Sequence, residues 1–237
     1  MAKKGTISVC FPAYNEEDNI IALLDKCMQV TSKLRYDCEI LVLNDGSTDN
    51  TEAVAKEYAK TNKRVRVLSH SKNKGYATTV NSCFSNGSGE ILFVVDSDLQ
   101  YDLADIGRFI DEMDKGCDVV VGQRKRNSDS SVRRVLSKGY SFCFRVLFGK
   151  NDRDIDCGFR CIRRQFSADI KLTHTNVPVG AEFFAHFYAH KLKVGRVEIN
   201  HVPRKAGKSL FGTFKLPFIV TRALFDMFKL RLEWRRG

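Results

Sequence analysis

A chain of 237 residues, 43% hydrophobic and 28% charged, carries enough apolar material for one large core and excludes an intrinsically disordered protein. Its formal charge of +11 and pI near 9.3 point to anionic partners such as nucleotide phosphates, phospholipid or nucleic acid. Eight cysteines are scattered through apparent helices and strands, without paired C-x-x-C spacing and without an N-terminal apolar signal segment. That usage predicts reduced, cytosolic core thiols and no zinc site.

In chain order, Thr6 to Phe11 is the first expected strand, closed by Pro12-Ala13-Tyr14-Asn15-Glu16-Glu17-Asp18 and followed by a helix to about Thr31. Cys38 to Leu43 is a second, buried strand; it ends in Asn44-Asp45-Gly46-Ser47-Thr48-Asp49, where Gly and Ser favour a turn and Asp49 can cap a helix over 50–60. Val65 to Leu68 is a short strand and Tyr76 to Asn86 a helix. The apolar run Ile91 to Val95 then stops abruptly at Asp96-Ser97-Asp98-Leu99-Gln100. In extended backbone the side chains at i and i+2 share a side, so Asp96 and Asp98 aim at one point. Oxygen donors from Asp96, Asp98 and the Gln100 amide suit Mg²⁺ or Mn²⁺; a solvated acidic strand end is the bland alternative. A helix over Leu103 to Lys115 and a strand over Asp118 to Gly122 follow. Strands alternating with helices predict an α/β fold with a mostly parallel sheet, whose ligands collect outside the carboxyl ends of the strands.

Pro12-Ala13-Tyr14-Asn15-Glu16-Glu17, Asn44-Asp45-Gly46-Ser47-Thr48-Asp49, Asn73-Lys74-Gly75 and Asp96-Ser97-Asp98-Leu99-Gln100 stand in that order at these strand ends. The constellation resembles a family 2 glycosyltransferase with a GT-A-type nucleotide-sugar domain, and within that family the polyprenyl-phosphate sugar transferases of the dolichol-phosphate mannosyltransferase kind. The resemblance spans roughly residues 5–210. It implies that Asp96, Asp98 and Gln100 match a metal-binding triplet, and that Pro12, Tyr14, Glu16 and Asp45 match nucleotide-contacting positions.

Beyond residue 122 the chain turns arginine-rich, with Arg124, Lys125, Arg126, Arg133, Arg134 and Lys138 before Asp156-Cys157-Gly158-Phe159-Arg160. A charge run is usually a solvated face. Gly122-Gln123-Arg124 follows a strand directly, however, which puts Arg124 at the crevice, and an arginine fork suits bidentate phosphate binding. The resemblance assigns the pyrophosphate or the lipid phosphate to Arg124 and to one of Arg133 and Arg134. A helix over 180–192 places Glu182, His186 and His190 on one face; a metal site is conceivable there, and a polar stripe on a helix packed by its phenylalanines explains the spacing as well. Glu182 is followed by Phe183, so the Glu-Asp pair that serves many inverting relatives as base is absent or altered.

After a strand over 194–199, Gly207-Lys208-Ser209 lacks the first Walker glycine, since Val202 stands there, and it is no P-loop. The segment resembles the family's Arg-x-x-Gly-x-Ser flap, which would close Arg204, Lys205 and Ser209 over the phosphates. From Phe214 to Arg236 one narrow polar stripe (Lys215, Arg222, Asp226, Lys229, Glu233, Arg236) faces a broad apolar surface. The charge-free run Leu216 to Thr221 is far short of the roughly 20 residues of a membrane span, and basic flanks describe a helix lying in the membrane interface. A core helix or an oligomer contact is the alternative.

Two regions are therefore expected: a glycosyltransferase domain over 1–212 and an amphipathic tail over 213–237. The expected activity is metal-dependent, inverting transfer of a sugar from a GDP- or UDP-sugar to a dolichyl or undecaprenyl phosphate, by a peripheral protein on the cytoplasmic face of a membrane. Asp98, Arg124, Arg133 and Arg134 would carry the chemistry. A sugar-hydroxyl acceptor is the nearest alternative. A non-catalytic anionic-lipid or nucleic-acid binder would leave the acidic clusters without a task, and no nucleic-acid-binding motif is present.

Overall fold

The computed structural model describes residues 4–125, 131–149, 152–173, 179–202 and 225–232, with 131–138 as backbone only. Seven strands form one sheet in the order β3-β2-β1-β4-β6-β5-β7: β1 (Thr6–Ala13), β2 (Asp37–Asn44), β3 (Val65–Ser69), β4 (Ile91–Val95), β5 (Val119–Lys125), β6 (Phe159–Arg163) and β7 (Val194–Asn200). Only β6 runs against the rest, pairing antiparallel with both β4 and β5. The expected α/β architecture is therefore present, and β6 is an addition to it.

Two-sided burial explains the apolar runs. Every residue of β1 after Thr6 is buried, as are all five of β4, because helices cover both faces. Ile7, Val9 and Phe11 pack with Ile20, Leu23 and Leu24 of α1 (Ile20–Thr31), Ala55 of α2 (Thr51–Thr61), and Ile106 and Phe109 of α4 (Ile106–Asp114). Cys10, Leu92 and Val94 face the other way, towards Val80 and Phe84 of α3 (Tyr76–Asn86), Phe144 of α5 (Ser131–Phe148) and Phe183 and Phe187 of α7 (Val179–Ala189). A one-turn helix, α6 (Arg164–Ser167), follows β6 directly.

β6 was hidden by its composition. Phe159 and Cys161 enter one core and Ile162 the other, so Arg160 occupies a buried position where an apolar residue is expected. Arg163 is also spent internally, donating to the carbonyls of Cys117 and Met113. What reads as a basic stretch is a central strand. Two smaller expectations also shift. The helix expected over 103–115 begins as a 3₁₀ turn, Leu103–Asp105. Asp49 lies one residue before the cap position Asn50, and its carboxylate instead takes the backbone N–H of Thr51 at 3.0 Å and of Glu17 at 3.2 Å.

All eight cysteines are free thiols, and all but the half-buried Cys143 are buried. Burial pushes the Cys157 thiol up to about 12, consistent with inert core residues. The boundary expected at 212/213 falls outside the described residues. A short helix over 225–232 is described, and it seats Met227 and Leu230 in the same core as Phe144 and Phe148. No helix among the described residues is long and apolar enough to cross a membrane.

Candidate active site

The chain runs outward from β1 to β2 and β3, then returns across β1 to β4, so the strand order reverses between β1 and β4. The ends of neighbouring strands splay at such a point and leave a crevice. Here the ends are Pro12-Ala13-Tyr14 and Asp96-Ser97-Asp98, sewn together by the Ser97 hydroxyl donating to the Pro12 carbonyl at 2.9 Å. Leu99 then adopts a left-handed conformation, φ 58°, which is costly for a branched side chain and turns the backbone sharply. The turn brings the Gln100 N–H to Asp98 Oδ1 at 3.2 Å. The Gln100 side-chain amide donates to the Val202 carbonyl at 2.9 Å, and the Val202 N–H returns to the Gln100 carbonyl at 3.0 Å, so the segment after β7 is strapped to the crevice.

Asp96 is half-buried and tightly held. The Tyr76 hydroxyl donates to Oδ1 at 2.7 Å. Oδ2 lies against the bare Cα of Gly158, where a Cβ would fall 1.8 Å away, so no other residue fits there. Burial and the neighbouring Asp98 charge push the Asp96 carboxyl up to about 6, while the Tyr76 hydrogen bond and the cations Arg160 and Arg124 pull it back.

The loops after β1 and β2 are locked to one another. The Asn15 side-chain oxygen accepts from the Thr48 N–H at 2.8 Å, the Asn15 N–H donates to Ser47 Oγ at 3.0 Å, and the Glu16 N–H donates to Thr51 Oγ1 at 2.8 Å. Buried Asp45 holds the third loop: Oδ1 accepts from the Lys74 N–H and Oδ2 from the Gly75 N–H, both at 2.9 Å. His70 completes the chain, with Nδ1 2.7 Å from Asp45 Oδ1 and Nε2 3.0 Å from Ser82 Oγ. The order Asp-His-Ser invites a nucleophile reading, but Ser82 sits inside α3 and donates to the Thr78 carbonyl, so the chain acts as a clamp. Gly46 (φ 66°) permits the contact, because a Cβ would meet the backbone carbonyl carbon of Lys72 at 2.4 Å.

An acidic strand end thus stands beside three loops tied to one another at the reversal of strand order. The sequence profile described as Glycosyl transferase family 2 matches residues 8–172. The chain belongs to glycosyltransferase family 2. The Bacillus subtilis protein CsbB is 35% identical over 175 residues, 73% of this chain and 53% of that one. The undecaprenyl-phosphate 4-deoxy-4-formamido-L-arabinose transferase of Proteus mirabilis is 27% identical over 218 residues, 90% of this chain and 65% of that one. The chain thus spans between half and two thirds of these curated relatives. Among solved structures, glucosyl-3-phosphoglycerate synthase from Mycobacterium tuberculosis, in complex with Mn²⁺, UDP-glucose and phosphoglyceric acid, superposes with a TM-score of 0.72 at 18% identity, over 96% of this chain and 80% of that one. That likeness establishes the GT-A-type fold.

Within this family 2 fold, Pro12 is the penultimate residue of β1, and Tyr14, Glu16, Asp45, Asp96, Asp98 and Gln100 lie on the loops at the carboxyl ends of β1, β2 and β4. Tyr14 is exposed, whereas Glu16 is buried and accepts from the Asn19 amide at 2.7 Å. Arg124, at the end of β5, arrives already paired: Nε and Nη2 donate to the two oxygens of Asp154 at 2.7 and 2.6 Å, and the Arg124 N–H also donates to Asp154 at 3.0 Å. Burial works against this guanidinium's charge, but the Asp154 hydrogen bonds outweigh it and keep the group protonated. Its fork is filled by protein. The side chains of Arg133 and Arg134, and the whole of Arg204, Lys205 and Ser209, lie outside the described residues.

Glu182 departs from expectation. It is only 1% exposed, in the first turn of α7, and Oε1 accepts from the Thr173 N–H at 2.8 Å and hydroxyl at 3.0 Å. The His186 and His190 rings stack 6.2 Å apart nearer the helix end. Three contributors escaped sequence reasoning: Tyr76, Gly158 and the buried Arg160, whose guanidinium lies 4.3 Å over the Phe183 ring with Nε and Nη1 unpartnered. The Asn-Lys-Gly turn immediately before Tyr76 was the available signal for it.

The residues present fit a divalent cation. Asp96 and Asp98 offer oxygen donors on one side of a strand end, and the Gly158 surface leaves room for nothing bulkier than the carboxylate itself. Among the described residues no group of three or more His, Cys, Asp or Glu side chains could hold a metal, so two carboxylates would leave the other positions to water and phosphate oxygens, as Mg²⁺ and Mn²⁺ prefer.

Proposed function

We propose that this chain transfers a sugar, with inversion, from a nucleoside-diphosphate sugar to a polyprenyl phosphate at a membrane surface. The observation that carries the reading is the position of Asp96 and Asp98, at the strand-order reversal and in reach of the three clamped loops. A divalent cation bound by Asp96 and Asp98 would neutralise charge on the departing diphosphate. The protein's own share is to fix the donor and exclude water. We assign a UDP-sugar as the donor, with Asp45 fixing the loop of Lys74 and Gly75 against which the base would sit. The Mycobacterium synthase, crystallised with UDP-glucose, supports the same choice.

The acceptor phosphate would attack the anomeric carbon as the bond from that carbon to the diphosphate oxygen breaks. A phosphate monoester with a second pKa of about 6 is largely dianionic at neutral pH, so no protein base has to take a proton. Glu182, buried and occupied by Thr173, is consistent with that. Arg124 would act through its charge, because Asp154 takes its hydrogen-bonding fork, while Arg133, Arg134, Arg204, Lys205 and Ser209 are the candidates for direct phosphate contact.

A membrane location is supported by surface composition. Phe142 (55% exposed) and Val146 (66%) project from α5 beside Arg145, and Phe225 (69%), Phe228 and Leu232 project from the helix over 225–232. Both helices share one core, and Arg231 reaches over the Phe148 ring at 5.9 Å; exposed apolar side chains with basic neighbours on each helix suit contact with anionic lipid. The named relatives that use undecaprenyl phosphate support the acceptor. The test is a panel of UDP- and GDP-sugars incubated with a polyprenyl phosphate and Mn²⁺, with lipid products identified by mass spectrometry. A phosphate-linked glycolipid from a UDP-sugar is expected; products from GDP-sugars alone would reverse the donor assignment, and none from any donor would reject the reading.

A further inference from the structure

Tyr76 has no counterpart in the motifs read from the sequence, yet among the described residues it makes the one side-chain hydrogen bond to the Asp96 carboxylate, at 2.7 Å on Oδ1. Its own position is fixed from behind. It opens α3 directly after Gly75, whose N–H is bound to Asp45 and whose left-handed backbone (φ 87°) sets the direction in which the helix starts. On the far side of the carboxylate, Oδ2 rests against Gly158, with 1.8 Å to where a Cβ would stand. Gly158 is in turn anchored, its N–H donating to the Tyr101 hydroxyl at 2.9 Å and its carbonyl accepting from the Asp96 N–H at 3.2 Å. A carboxylate gripped by a phenol on one oxygen and by backbone on the other has little freedom to rotate.

We propose that the Tyr76 hydroxyl is the positioning group for Asp96, holding its carboxylate in the orientation that receives a divalent cation. This rests on the reading of Asp96 and Asp98 as cation ligands. A neutral hydroxyl suits the task, since it orients the carboxylate without cancelling the charge that attracts the metal, and partners of this kind commonly set metal affinity. Tyr76 touches neither donor nor acceptor in this role; it works through Asp96.

The test is Mn²⁺ binding by the full chain, followed by electron paramagnetic resonance with and without UDP and needing no turnover. Tyr76→Phe keeps the ring and removes only the hydroxyl, and it should weaken Mn²⁺ binding by about 10-fold or more with the melting temperature little changed. In an Asp96→Ala background the same substitution should add no further loss, because its effect passes through that carboxylate. Tyr76→Phe that binds Mn²⁺ like the wild type, or an equal loss in both backgrounds, overturns the proposal. So does Tyr76→Leu weakening binding where Tyr76→Phe does not, which would assign the effect to ring packing. If the wild type itself takes up no Mn²⁺ even with UDP, the cation reading fails and this inference falls with it; a wild type that binds beside an unaffected Tyr76→Phe removes only the role of Tyr76.

Discussion

The loops on the two halves of the sheet are fastened differently. From β1 to β4 the loops are cross-tied by hydrogen bonds between side chains and backbone, Asn15 to Thr48, Glu16 to Thr51 and Asp45 to Lys74 and Gly75, each donated by a neutral backbone N–H. From β5 to β7 the loop after α5 is fastened by ion pairs: Asp154 grips Arg124 of β5 and Asp152 grips Arg196 of β7. Loop-to-loop hydrogen bonds fix the frame of the crevice. Buried ion pairs place strong charge beside the crevice, but they tolerate the loss of a partner poorly.

Substitutions can break that contrast, and the largest effect belongs to the acidic pair. Asp98→Asn should lower sugar transfer at saturating Mn²⁺ by at least about 100-fold while circular dichroism reports an intact fold. Full activity in that variant would separate the crevice from the chemistry. Next comes stability in the second half. Asp154→Ala strands the Arg124 charge at a side chain only 15% exposed and should cost about 3–5 kcal/mol in urea unfolding. Asn15→Ala, in the first half, should cost about 1–2 kcal/mol. Equal costs would erase the distinction between the halves.

Asp96 gives a smaller effect of opposite sign. Its carboxyl is raised from an ordinary 3.8 to about 6, with burial the leading cause and the Asp98 charge next. Below about pH 4 both folded and unfolded states hold the proton and the site costs nothing. Between there and pH 6 the unfolded chain ionises while the folded one keeps its proton, so stability falls as pH rises, and above 6 the full cost remains. Asp96→Asn in metal-free protein should therefore gain about 1–2 kcal/mol at pH 7, discounted for partial exposure, and nothing near pH 4. Thermal melts across pH 4 to 7.5 would show a flat difference if the carboxyl were not raised. The smallest change is expected from Glu182→Gln, which can still accept from Thr173 and should hold single-turnover transfer to a polyprenyl phosphate within about threefold across pH 5.5 to 8. A collapse at every pH with donor binding unchanged would show that a protein base is needed.

Much of the first half was legible because its strands carry apolar runs, Ile40 to Leu43 and Ile91 to Val95 among them, and its turns carry Pro, Asn, Asp and Gly at the points where the chain must reverse. Helix α3 and strand β4 lie where periodicity puts them, within a residue. The second half hid its organisation in arginines. Arg160 and Arg163 look like surface charge and are internal, so β6 was lost; Arg124 looks free and is paired with a carboxylate thirty positions away. Tyr76 and Gly158 failed for a related reason: they lie twenty and sixty-two positions from Asp96, and no local spacing reports a contact made by folding.

The most direct measurement compares two acceptors that differ in one group. Purified protein, a labelled UDP-sugar and Mn²⁺ would be mixed under single-turnover conditions with a polyprenyl phosphate or with the same polyprenol lacking its phosphate. The account predicts rapid labelling of the phosphate lipid and none of the alcohol, because a phosphate dianion needs no base to take a proton. Equal labelling of the alcohol, or labelling of a sugar hydroxyl acceptor alone, would contradict it.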